Sequence, residues 1–142
     1  LEKIFIKQVN YRSLFVTIMS FGFKYGIPED ADLVFDVRFL PNPYYDPELR
    51  PFTGNDAVIK SFVMGCEDAE IFLDKITGLI EFLIPNYIKE GKNQLVIAIG
   101  CTGGKHRSVC LANELHTALA GDDSYGLKIE HRDIGKDALR GK

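Results

Sequence analysis

Tryptophan is absent from this 142-residue chain, methionine occurs twice and cysteine only three times, and each scarcity closes off a class of architecture. Cys66, Cys101 and Cys110 are odd in number and form no ladder of spacings, so neither a disulfide framework nor a zinc site is expected. No apolar run approaches the roughly 20 residues of a membrane span, and the opening LEKIFIKQVNYRS lacks the organisation of a signal peptide. A cytoplasmic protein without a membrane partner is expected. Positive charge is short as well: 17 Lys and Arg against 20 Asp and Glu leave a net charge of −3. Nucleic acid therefore meets no global attraction, and any RNA contact must come from a local patch. An initiator Met is missing and the chain enters charged, strand-like sequence abruptly, so a fragment of a longer protein is expected. Neither an internal repeat nor a low-complexity segment is found.

What is present suits one domain spanning 1–142, with 46% hydrophobic and 26% charged residues, enough for a real core but not for two. Its centre is QLVIAIGCTGGKHRSVCLANELHTAL, from Gln94 to Leu119. Leu95 to Ile99 is short, β-branched and uncharged, as in a strand buried on both faces of a parallel sheet. From Val109 the apolar positions Val109, Ala112, Leu115 and Leu119 fall on one helical face. Between strand and helix lies Gly100-Cys101-Thr102-Gly103-Gly104-Lys105-His106-Arg107-Ser108. The glycines allow several N–H groups to converge at a helix start, where the dipole favours an anion. Lys105, His106 and Arg107 add charge, Thr102 and Ser108 add hydroxyls, and a phosphate is the expected guest. The GxxxxGK[ST] spacing of a nucleoside-triphosphate loop is absent. Cys101, five residues, then Arg107 and Ser108 satisfy instead the CX5R[ST] pattern of cysteine-dependent phosphatases, in which Cys101 would attack phosphorus, Arg107 would hold the oxygens and a loop acid such as Asp46 would be needed. A close-packed turn with no ligand is the third reading, and the domain would then be an oligomerisation module.

The rest of the chain supplies neighbours for this loop. Leu14 to Ser20 reads as a first strand running into FGFKYGIP, where Lys24 and Tyr25 are candidates for function and Phe21 and Phe23 for plugging the sheet end. Leu33 to Val37 is a second strand. Asp36 and Arg38 project to the same side of it if it continues, either as a pair or with Asp36 facing a ligand. Four of the six prolines lie between Phe39 and Gly54, a long segment too rich in aromatics for disorder. It is expected to wall the site, with Asn42 and Tyr44 nearest the strand end. A short helix over Asp56 to Met64 with Asn55 as its cap follows. A long amphipathic helix from about Asp68 to Ile84 comes next, broken or kinked at Pro85, with Ile71, Phe72, Ile76, Leu79, Ile80, Leu83 and Ile84 on its core face. Leu127 to His131 forms a last strand. His131, Arg132, Lys136, Arg140 and Lys142 are the cations available to RNA, interleaved with Asp133 and Asp137. Together these elements predict an α/β domain, a mainly parallel sheet of about four strands with flanking helices and the site at the strands' carboxyl ends.

Three stretches taken together, SFGFKYGIPEDADLVFDVRFLPNPYYDPELRPFTG, LVIAIGCTGGKHRSV and EHRDI, resemble the bacterial RapZ/YvcJ family of nucleotide-binding proteins, at its C-terminal domain. The resemblance implies that a P-loop NTPase domain binding ATP or GTP precedes Leu1, and that this domain carries no cofactor or metal of its own. It also implies glucosamine-6-phosphate bound by Thr102, Gly103, His106 and Arg107 with Asp36 and the segment after Arg38. A small regulatory RNA presented to RNase E, and a homo-oligomer, complete the picture the resemblance gives.

Overall fold

The two strands richest in β-branched residues become the middle of the sheet. In the computed structural model, which describes residues 14–136, β1 (Phe15–Gly22) and β3 (Gln94–Cys101) pair in parallel from Phe15↔Gln94 to Gly22↔Cys101. β2 (Leu33–Asp36) adds outside β3, and β4 (Gly126–His131) outside β1. The order β2-β3-β1-β4 is parallel throughout, so the expected fold class holds. Among the described residues three helices flank it: α1 (Ala57–Met64), α2 (Glu67–Glu90) and α3 (Arg107–Leu119).

Side chains alternate across the sheet, and one set, Val16 and Ile18 of β1 with Leu95, Ile97 and Ile99 of β3, is fully buried with Leu111 and Leu115 of α3 and Ile76, Ile80 and Ile84 of α2. Each such side chain contributes about 1.5–3 kcal/mol by leaving water. The crossovers β2→β3 through α1 and α2, and β3→β4 through α3, both step the same way across the sheet. The β1→β2 connection steps the opposite way, so a common right-handed sense sends it over the other face. The contacts agree: a Cβ on Gly100 would strike Phe21 Cζ at 2.4 Å and Phe23 Cε2 at 2.7 Å. Connections thus leave the neighbouring strands β1 and β3 in opposite directions, and a crevice opens at their carboxyl ends.

Three local expectations are corrected. The long helix runs unbroken through Pro85 to Glu90, ending on Gly91 in the left-handed region (φ 93°). Pro85 lies on the exposed side, where water can satisfy the carbonyl its ring leaves unbonded, and Asn86 Nδ2 donates to the Phe82 carbonyl at 2.9 Å. Within that helix Ile71 and Leu79 are 44% exposed, so the core face is narrower than its apolar pattern. Asn55 does not cap α1. Asp56 occupies that position and accepts the Thr53 N–H at 2.8 Å, while Asn55 Oδ1 accepts from Asn113 Nδ2 at 2.8 Å.

Candidate functional site

The loop after β3 turns at Gly103-Gly104 because it must press its backbone against the end of β1. Gly104 has φ 76°, and a Cβ there would sit 2.6 Å from Gly22 N; one on Gly22 would sit 2.5 Å from the Gly103 carbonyl carbon. Two glycines facing each other permit an approach no side chain could share. Beyond the turn, no main-chain N–H from Gly103 to Val109 is committed to an acceptor among the described residues. The first committed donor is Cys110 N–H, to the His106 carbonyl at 3.0 Å. These open donors stand at the positive end of the α3 dipole.

Arg107, the first residue of α3, is only 4% exposed. Its Nη1 donates to the carbonyls of Arg38 (2.8 Å) and Leu40 (3.1 Å), and Nη2 reaches Thr102 Oγ1 at 3.4 Å. Nε has no partner. Among the described residues no carboxylate pairs with this guanidinium. This buried cation meets carbonyl and hydroxyl oxygens but has no ion-pair partner among the described residues.

The proline-rich segment does form a wall beside the loop, and Lys105 and His106 are what fasten it there. Lys105 Nζ donates to the Arg50 carbonyl at 2.9 Å, His106 Nε2 lies 3.2 Å from the same oxygen, and Gly54 N–H donates to the Lys105 carbonyl at 2.9 Å. Burial holds the buried His106 imidazole below its ordinary pKa. Within the wall, Asn42 Oδ1 accepts Tyr44 N–H at 3.1 Å, and Arg50 lies 4.6 Å over the Tyr44 ring. Asp46 Oδ1 accepts Glu48 N–H at 2.9 Å.

Asp36 and Arg38 do share a side of the chain and form an exposed, two-pronged pair, with Nε 3.0 Å and Nη2 2.7 Å from Asp36 Oδ2. The hydrogen bonds from Arg38 hold the Asp36 carboxyl below its usual range, outweighing desolvation, and the Arg107 charge adds to the effect. Arg38 stacks 4.0 Å over Phe23. Lys24 N–H donates to the Thr102 carbonyl at 3.3 Å, which seats the 3₁₀ turn Phe23–Tyr25 beside the loop. Cys101 is placed otherwise: it is 2% exposed within the core, its thiol 3.1 Å from Ser108 Oγ.

The cations after β4 are bound to protein groups. His131 Nδ1 lies 2.6 Å from Ser20 Oγ and Nε2 3.0 Å from Asn113 Oδ1. Arg132 donates to the Gly26 carbonyl and to Asp133, and Lys136 Nζ lies 2.6 Å from Asp133. Arg140 and Lys142 lie outside the described residues. Sequence reasoning missed Gly22, Ser20 and Asn113, which carry no motif of their own, and it missed Asp133 as an organiser. The cations one residue before and three after Asp133 were the signal.

A family model described as the RapZ C-terminal domain matches residues 14–135. The chain belongs to that family. Among curated relatives, a "Nucleotide-binding protein" of Agathobacter rectalis is 68% identical over the whole chain, which covers 49% of that relative. One of Lachnoclostridium phytofermentans is 59% identical over 96% of the chain and 47% of its own length, and one of a Thermoanaerobacter species 60% identical over 96% and 48%. The chain spans about half the length of the curated relatives it matches. Among the described residues, no helix is long and apolar enough to cross a membrane.

Proposed function

We propose that this domain binds a phosphorylated metabolite of the glucosamine-6-phosphate kind, without transforming it, and that it serves as the ligand-sensing, RNA-contacting adaptor of a longer nucleotide-binding protein. The observation that carries the ligand reading is Arg107, a buried guanidinium with an unpartnered Nε and no carboxylate, beside a run of open N–H donors. A phosphate supplies the missing charge and accepts from both. In this reading Thr102 and Gly103 contact the phosphate, and Lys24, Asp36, Arg38, Asn42 and Tyr44 are assigned to the remainder of the ligand. The core position of Cys101 favours binding over thiol chemistry, so catalysis is not part of the proposal. The small RNA, its presentation to RNase E, the ATP or GTP site on a preceding domain and the homo-oligomer rest on family membership.

Calorimetry with glucosamine-6-phosphate and with inorganic phosphate tests the ligand reading. Loss of a charge-assisted contact of about 1.5–3 kcal/mol predicts a roughly 10- to 100-fold weaker Kd for Arg107→Ala, with Arg107→Lys intermediate because it keeps the charge and loses the fork. Melting curves confirm that each variant is folded. Unchanged affinity in both would remove the site from this loop.

A further inference from the structure

The stretch EHRDI is the one motif that ligand binding leaves unused. Asp133 is fully buried and its carboxylate is met from three sides. Oδ2 accepts the Gly22 N–H at 2.8 Å, Arg132 Nη2 lies 2.7 Å from Oδ2, and Lys136 Nζ lies 2.6 Å from Oδ1. Burial pushes this carboxyl up, but the bonds from Arg132, Gly22 and Lys136 hold it below the ordinary range. Asp133 also lies directly behind the anion loop: a Cβ on Gly104 would come within 3.0 Å of Asp133 Cβ and 2.6 Å of Gly22 N. Gly22 is thus held from one side by Asp133 and touched from the other by Gly103 and Gly104.

We propose that Asp133 is a positioning residue for the anion site, fixing through the Gly22 N–H the surface against which the Gly103-Gly104 turn is shaped. Asp133 touches no ligand in this scheme. The inference rests on the ligand reading above for its readout in affinity, but not for its readout in loop geometry.

The sign of the effect separates positioning from charge. A carboxylate behind an anion site repels the anion, so its removal by charge alone tightens binding; loss of positioning weakens it. Asn keeps an acceptor for Gly22 N–H and lacks the charge. If the hydrogen bond matters, Asp133→Asn recovers much of what Asp133→Ala loses; if charge matters, the two behave alike.

The experiment uses the 142-residue chain and inorganic phosphate, with calorimetric Kd and the amide resonances of Gly22, Gly103 and Gly104 read against Gly91 and Gly121. Asp133→Ala is expected to shift the three loop-side glycines without ligand and to weaken phosphate about 3- to 10-fold, with Asp133→Asn closer to wild type. Gly22→Ala is expected to act on the same contact, so the double variant Gly22→Ala with Asp133→Asn loses less than the product of the singles; it also keeps the test open if Asp133→Ala fails to fold. Unmoved loop amides in the folded Asp133 variants, phosphate bound as tightly as by wild type, or strictly multiplicative losses would overturn the proposal. Shifted loop amides in a chain whose wild type binds neither phosphate nor glucosamine-6-phosphate would uphold the positioning and overturn the ligand reading alone.

Discussion

Two segments leave the carboxyl edge of the sheet on either side of β1, and they treat their polar groups in opposite ways. After β3, the loop Thr102–Ser108 keeps a row of N–H groups and the Nε of Arg107 uncommitted. At the end of β4 and just beyond it, His131, Arg132 and Asp133 bind Ser20, Asn113, Gly26, Gly22 and Lys136. Buried polar groups are ordinarily satisfied, so the second segment is what folding alone produces. The first departs from that rule at the buried Nε of Arg107, the group on which the proposed ligand site rests. Charge does not distinguish them, since both contain histidine, arginine and lysine; the difference is whether the protein itself answers those groups.

The largest expected break in this comparison comes from the contact the two segments share. Gly104→Ala forces a side chain into the left-handed region and against Gly22 N, which should cost about 3 kcal/mol or more. Urea unfolding followed by circular dichroism measures it, tryptophan fluorescence being denied by the sequence. A smaller effect is titration. His106 and His131 are each held below the ordinary 6.5, chiefly by burial, so the unfolded chain protonates first. Stability is full above about pH 6.5 and falls as pH descends toward the lowered folded values, by at most about 1.4 kcal/mol per pH unit for each histidine. Replacing either by Gln should flatten part of that slope in melting temperature against pH; an unchanged slope in both variants would mean that neither carries it. Smallest is Arg38→Ala, which removes a solvent-exposed pair and should leave the melting temperature within about 4 °C. A larger drop would show that its stacking on Phe23 holds the mouth of the site.

Much of the sheet was legible because buried parallel strands carry a distinctive composition: Leu95 to Ile99 lies within β3, and Leu14 to Ser20 meets β1 from Phe15 onward. The loop was legible because glycines and cations at a strand-to-helix junction have few other uses. Pro85 misled because local propensity is blind to which helix face a residue occupies, and the exposed face tolerates the missing bond. Lys105 and His106 show a different limit: their types fit an anion, and their side chains also reach the Arg50 carbonyl, a backbone atom whose position no side-chain pattern encodes. Asp133 was read as diluting a basic patch because its partner, the Gly22 N–H, is 111 residues away. Such contacts follow from the completed fold.

That separation bears on how the chain reaches its native state. β1 is made first, yet its sheet partners are β3 and β4, beginning at Gln94 and Gly126. Of the consecutive strand pairs, only β2 and β3 are sheet neighbours. Loop closure of this span is slow, so during synthesis the apolar run from Val16 to Phe21 waits without its native cover until most of the chain exists. The contact behind Gly22 closes only when residue 133 arrives, so a nascent chain lacking β4 has nothing yet to hold the end of β1 against the Gly103-Gly104 turn.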